Sequence, residues 1–144
     1  MEFYDSIKQG KEEKIAKMIS EDPSLVHKKD ENGFPPIVLA SYNNQPGITA
    51  LLIGKGAGVD ARDVMGNTAL MGVCFKGNEE LANLLLIKGA DVNARNKSGE
   101  TALIFTALFG QEKLTKILLE NGADKSLRDS KGNTAYAHAE MKDN

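Results

Sequence analysis

The sequence predicts an all-α solenoid of stacked helix-turn-helix units joined by hairpin loops, and two glycine series carry most of that prediction. Gly33, Gly66, Gly99 and Gly132 recur every 33 residues, while Gly56, Gly89 and Gly122, each followed by alanine, keep the same spacing in a second register. A fixed period of this length marks a chain that copies one supersecondary unit along its length. The third observation is an apolar stripe at i, i+3, i+4 spacing: Ile48, Leu51 and Leu52, then Leu81, Leu84 and Leu85, then Leu114, Ile117 and Leu118. Such a stripe is one face of a helix. A lone helix pair cannot cover it, so each unit must stack on the next.

Taken in chain order, residues 1–29 are expected to form an N-terminal cap. Ile15, Met18 and Ile19 repeat the stripe there, and Gly10 falls within one residue of the position equivalent to Gly77. Full repeats follow at 30–62, 63–95 and 96–128, and 129–144 makes a C-terminal half repeat, all within the single domain 1–144. Thr68, Thr101 and Thr134 are placed to accept from free amides at the start of each first helix, which should end near Gly77 or Gly110. Second helices open with Glu79, Glu80 or Glu112, where the helix end is positive, and close at Gly89 or Gly122. The first full repeat is the weak one. Pro35 replaces the capping threonine, and Gly47, Gly54, Gly56 and Gly58 cluster in and after its second helix, at a cost of up to about 1 kcal/mol for each glycine inside a helix. Pro46 is acceptable at a first helical position.

Composition removes several classes of function. The mass of 15.5 kDa fits one domain. With 18 Lys plus Arg against 20 Asp plus Glu, the net charge of −2 supplies no global positive field for nucleic acid. Cys74 has no thiol partner, and with only His27 and His138 beside it a zinc site is not expected. The acidic opening Met1-Glu-Phe-Tyr-Asp5 and the short apolar runs give no signal peptide and no membrane partner, so a cytoplasmic protein is expected.

Nor do the residues point to catalysis or to a cofactor. Gly54-Lys-Gly-Ala-Gly58 follows a helix and lacks the hydroxyl and upstream glycine of a phosphate loop. Cys74 falls inside a first helix beside Val73, where a small buried hydrophobe is expected. His27 and His138 lie about three repeats apart, and no convergent acid–base pair is expected. Arg62, Arg95 and Arg128 form a ladder at the repeat period. They either pack over the hairpin stems and pair with nearby acids, or present a stripe to a partner's carboxylates or phosphates.

The recurring segments Thr68-Ala-Leu-Met71, Thr101-Ala-Leu-Ile104 and Thr134-Ala-Tyr-Ala137 resemble the Thr-Pro-Leu-His signature of the ankyrin repeat, and the likeness extends over residues 30–144. More narrowly, Gly66 to Lys76 and Thr101 to Gly110 are similar to small bacterial ankyrin proteins, some of them linked to catalase. The resemblance implies a partner-facing concave surface built from the loop tips and the inner face of the first helices. Those places hold Phe34, Tyr42, Met65, Phe75, Leu108, Phe109 and Met141. A merely solvated face would carry residues such as Lys76, Lys97 and Asn133, whereas large apolar side chains in a row mark an interaction site; the alternative is that some, particularly Leu108 and Met141, tuck into the gaps between repeats. The expected function is therefore non-catalytic binding of another protein, with these anchors at the centre and the arginines at the rim. Small-ligand binding and a self-associating structural role are the alternatives, and the catalase likeness implies a place beside an oxidative-stress enzyme. A monomer is expected. Weak self-association would arise if the half repeat leaves Ile117 and Leu118 less covered than their counterparts.

Overall fold

The computed structural model describes residues 2–143. Among them lie α1 (Glu2–Lys8), α2 (Glu12–Glu21), α3 (Pro36–Tyr42), α4 (Pro46–Gly54) and α5 (Ala69–Lys76). These are followed by α6 (Glu79–Ile87), α7 (Ala102–Leu108), α8 (Glu112–Glu120) and α9 (Ala135–Asp143), and a 3-10 turn at Pro23–His27 follows α2. The odd-numbered helices pack side by side as an inner row, and the even-numbered ones form an outer row behind them. No strand occurs among the described residues, so the chain is an all-α repeat solenoid.

Local chemistry sets the boundaries. Thr68 Oγ1 accepts from the Met71 amide at 3.4 Å, Thr101 from Ile104 at 3.2 Å and Thr134 from Ala137 at 3.1 Å, which satisfies one free amide at each helix start. Asn78 does the same for α6, accepting from Leu81 at 3.1 Å. The turn between paired helices needs a left-handed residue, and Gly77 supplies it at φ +78°. One period earlier the residue is Asn44, at φ +55° and the described non-glycine residue with positive φ. Asparagine is among the few side chains that tolerate this region, and Asn44 Oδ1 also accepts from Asn78 Nδ2 in the next unit at 2.9 Å.

The hairpins are built on one repeated side chain. Asp30, Asp63, Asn96 and Asp129 stand a period apart, and each Oδ1 accepts two backbone amides: Asn32 and Phe34, Met65 and Asn67, Ser98 and Glu100, Lys131 and Asn133. Successive hairpins are also joined directly. The Lys97 amide donates to the Met65 carbonyl at 3.0 Å and the Ser130 amide to the Ser98 carbonyl at 2.8 Å.

The two ends close the stack in different ways. The N-terminal segment is a complete helix pair, with Phe3, Ile7 and Ile15 fully buried against the next unit. Tyr4 ties it down by donating its hydroxyl to the carbonyls of Lys28 and Lys29, at 2.7 and 2.9 Å. At the other end, Leu118 is fully buried and Ile117 half-buried, as Leu85 and Leu84 are one period earlier. The exposure falls on Leu119 and on Tyr136, which is 74% accessible, around a groove of about 480 Å³ between α7, α8 and α9. The helical register explains it: Leu114 and Leu118 point inward, and Leu119 is the next residue round the helix.

Helix α4 begins at Pro46 after Gln45, which makes no side-chain cap, whereas α6 has the Asn78 cap. Amides of residues 45–58 should therefore exchange faster than those of 79–88 in a native-state hydrogen-exchange experiment. Equal or greater protection of 45–58 would contradict this ordering.

Candidate functional site: an aromatic groove on the inner row

The inner helices place aromatic side chains of three successive repeats against one another. Tyr42 ends α3, and its ring stacks on that of Phe75 of α5, with centroids 6.4 Å apart and planes at 10°. Phe75 meets Phe109 edge to face at 4.8 Å and 89°, and Phe109 in turn stacks on Phe105 of α7 at 6.5 Å. Offset-stacked and edge-to-face arrangements are the favourable geometries for the ring quadrupoles. Tyr42, Phe75 and Phe109 remain exposed although they touch. Lys76 holds its ammonium 4.5 Å from the Tyr42 ring centroid, a cation–π contact on the same row.

Beside this row lies a groove of about 490 Å³. Phe34 and Met65, from the hairpin tips, line it together with Tyr42, Phe75 and Phe105. Met71 and Gly72 of α5 and Val38 and Leu39 of α3 also line it, and Asp63, Asn67 and Thr68 are its polar residues. A Cβ on Gly72 would sit 3.5 Å from Tyr42 Cδ1, an ordinary contact.

The expected anchors therefore divide. Tyr42, Met65, Phe75 and Phe109 are exposed, and Tyr42, Met65 and Phe75 line the groove. Phe34 lines it too but is half-buried and packs against the core. Leu108 is not an exposed anchor: it is half-buried and packs on the core, and Phe109, just past the end of α7, takes the exposed place beside Phe75. Met141 is exposed on α9 but does not line the groove. Phe105 and Gly72 belong to the site and were not singled out in the sequence. A glycine inside an apolar helical run was the available signal for Gly72, since it often marks a close approach.

The arginines act within the scaffold. Arg62 Nη1 donates to the carbonyl of Gly66 at 3.0 Å and to that of Arg95 at 2.7 Å. Arg95 repeats this toward Gly99 and Arg128, and Arg128 Nη1 donates to Gly132 at 2.8 Å. Each guanidinium thus spans its own hairpin stem, and the first two reach the next, binding carbonyl oxygens rather than acids.

Groups with chemical potential are engaged elsewhere. Cys74 is buried, and burial pushes its thiol up to about 12, so it is no nucleophile at neutral pH. The structure does bring together one acid and one imidazole that the sequence left apart: His138 Nε2 lies 2.7 Å from Asp129 Oδ2, both largely buried. Burial alone would raise the Asp129 carboxyl, but the Asn133 amide, His138 and the Lys131 amide hold it below the usual carboxylate range. The pair pins α9 to the last hairpin. Among the described residues no group of three or more His, Cys, Asp or Glu could hold a metal ion, and no helix is long and apolar enough to cross a membrane.

Stacked helix pairs with braced hairpins and an apolar inner face define a helical-repeat scaffold. The model of the family described as ankyrin repeats, in three copies, matches residues 3–96 and 71–144, and the chain belongs to that family. Ankyrin repeats in general mediate protein–protein interaction. The chain is 35% identical over 81 residues to ankyrin repeat and SAM domain-containing protein 6 of Rattus norvegicus, covering 56% of this chain and 9% of that protein. It is 32% identical over 82 residues to the NAD-capped RNA hydrolase NUDT12 of Homo sapiens, covering 57% of this chain and 18% of the hydrolase. The chain thus spans less than a fifth of the length of either relative.

Proposed function

We propose that the protein is a non-catalytic interaction module that binds another protein through its inner helices and hairpin tips. The observation that carries this reading is the unbroken contact of Tyr42, Phe75, Phe109 and Phe105 across three repeats, with most of those rings open to solvent. Exposed aromatic side chains with few internal degrees of freedom are the usual energetic centre of an interface. The scaffold under them is already ordered by stacking and by the arginine braces, which lowers the ordering cost of association. Arg62, Arg95 and Arg128 hold the hairpins in this reading instead of contacting the partner. The repeats are taken as 30–62, 63–95, 96–128 and 129–144, behind the end unit 1–29.

The triple variant Tyr42→Ala, Phe75→Ala, Phe109→Ala tests the reading, since all three side chains are exposed and their loss leaves the buried core in place. Used as bait beside the wild type in affinity capture with quantitative mass spectrometry, it should lose the proteins that the wild type retains, at unchanged far-UV helicity. Identical recovery by both baits would remove the aromatic row from the interface.

A further inference from the structure

We propose that the groove between α7, α8 and α9 receives an amphipathic helix of a partner protein, laid beside α8 as the next member of the outer row, with leucine-sized side chains at i and i+4 turned into the groove. The inference goes beyond the interaction function proposed above, because none of Tyr42, Phe75 and Phe109 lines this surface.

The stack itself shows what such a groove holds. One period earlier the same surface lies between α5, α6 and α7, and α8 covers it by packing against α6 and α7. Helix α8 buries Leu114 and Leu118 there, and α6, another period back against α4 and α5, buries Leu81 and Leu85 at the same i, i+4 spacing. Residues under that cover change state when the series reaches the last groove. Cys74 and Ala82 are fully buried, whereas Ala107 and Thr115, one period on, are half-buried and line the groove of about 480 Å³. The inner row does not account for the difference, since α9 packs on α7 as α7 packs on α5. What differs is the cover that α8 gives to the earlier pair, so the groove continues an interface that the fold already uses for α6 and α8. Leu119 and Tyr136, both exposed, line it as well. An amphipathic helix with its apolar face in such a groove is a recurring mode of recognition.

The structure also bears on where that helix comes from. Gly77 and Gly110, both with positive φ, turn α5 into α6 and α7 into α8. One period after Gly110 stands Asp143, and α9 runs on to it as helix. Among the described residues α9 therefore does not fold back over α8. A second copy stacked head to tail is a poor match. The residues that α1 and α2 expose at the other end, such as Glu2, Asp5, Glu12, Glu13 and Lys17, are all polar. The charges lining the groove, Glu112, Lys125 and Lys142, are of both signs, so apolar spacing rather than charge selects the occupant.

The test titrates the isotopically labelled full chain with a synthetic peptide copying residues 111–124, the segment that fills the equivalent groove. A lactam between the side chains of Lys116 and Glu120, both exposed on α8, holds the peptide helical. Amide shifts should saturate with a Kd below about 1 mM and be confined to α7, α8 and α9. Replacing both leucines of the peptide, Leu114→Ala with Leu118→Ala, should weaken binding by at least about tenfold, or 1.4 kcal/mol. In the protein, Leu119→Asp with Tyr136→Asp should weaken it similarly, and Ala107→Leu, which fills the groove from α7, serves if that variant loses helicity. No saturable shifts, shifts on other helices, or equal binding by the dialanine peptide would overturn the proposal. So would a dimer in light scattering that Leu119→Asp with Tyr136→Asp returns to a monomer, since the groove would then belong to a second copy.

Discussion

Leu85→Ala should lower the stability of the whole stack by about 2–5 kcal/mol, seen as a single urea transition moved to lower midpoint. Leu85 is 0% exposed in α6, the outer helix of the middle full repeat, and α6 packs against both α4 and α8. Removing its side chain opens a cavity that touches two inter-repeat interfaces. In a solenoid those interfaces couple units that are too weak to stand alone, so the loss spreads beyond one helix pair. Against a total stability of about 5–15 kcal/mol for a domain, that is a large share of the whole. Ile87 on the same helix is the internal control. It is 80% exposed, and Ile87→Ala should change stability by no more than about 0.5 kcal/mol. Equal shifts for the two variants would mean that α6 turns a different face to its neighbours. A biphasic transition for Leu85→Ala would show that the repeats unfold separately.

What the sequence made legible was the part written in short-range chemistry. Thr68, Thr101 and Thr134 announce helix starts because an N-cap needs only the next three residues, and Gly89 and Gly122 announce helix ends because a left-handed residue is a local demand. Where another residue met the same demand, the signal vanished: Asn44 occupies the turn that glycine fills at Gly77. Gly10, at φ +74°, marks the end of helix α1, but only the burial of α1 against the next unit reveals Phe3 and Ile7 as core. The arginine ladder was visible as a period, yet its meaning depended on carbonyls of the next repeat, 33 residues on, as with Arg62 and Arg95. For the groove, the sequence nominated Tyr42, Phe75 and, in the third repeat, both Leu108 and Phe109. Helix α7 ends at Leu108, and Phe109 beyond it completes the row. Which of the two neighbours faces solvent is a tertiary outcome that periodicity cannot report. The pairing of His138 with Asp129 was hidden for a similar reason, because the eight residues between them fold back through a hairpin.

Gly99→Val should cost about 2–6 kcal/mol, combining left-handed backbone strain with overpacking. Gly99 has φ +72°, a region that a β-branched residue strongly resists. Its missing side chain is also where the next hairpin comes closest. A Cβ would lie 3.0 Å from the Ser130 amide nitrogen and 3.2 Å from both the carbonyl carbon and the Cα of Asp129. These are backbone atoms, held by the Ser130 to Ser98 hydrogen bond at 2.8 Å and by Arg95 donating to the Arg128 carbonyl, so they cannot move aside cheaply. Gly132 provides the comparison. It has φ +82° at the equivalent place in the last hairpin, but nothing lies within 4 Å of its Cβ position. Gly132→Val should therefore show only the conformational share, about 1–3 kcal/mol. The excess for Gly99→Val, read from paired urea unfolding curves, measures how firmly one hairpin bears on the next. That contact also keeps the tips in register, because the same ladder joins Lys97 to Met65 at the groove wall. Equal losses for the two valines would mean that the hairpins do not support one another, and that the groove wall is set by the inner helices alone.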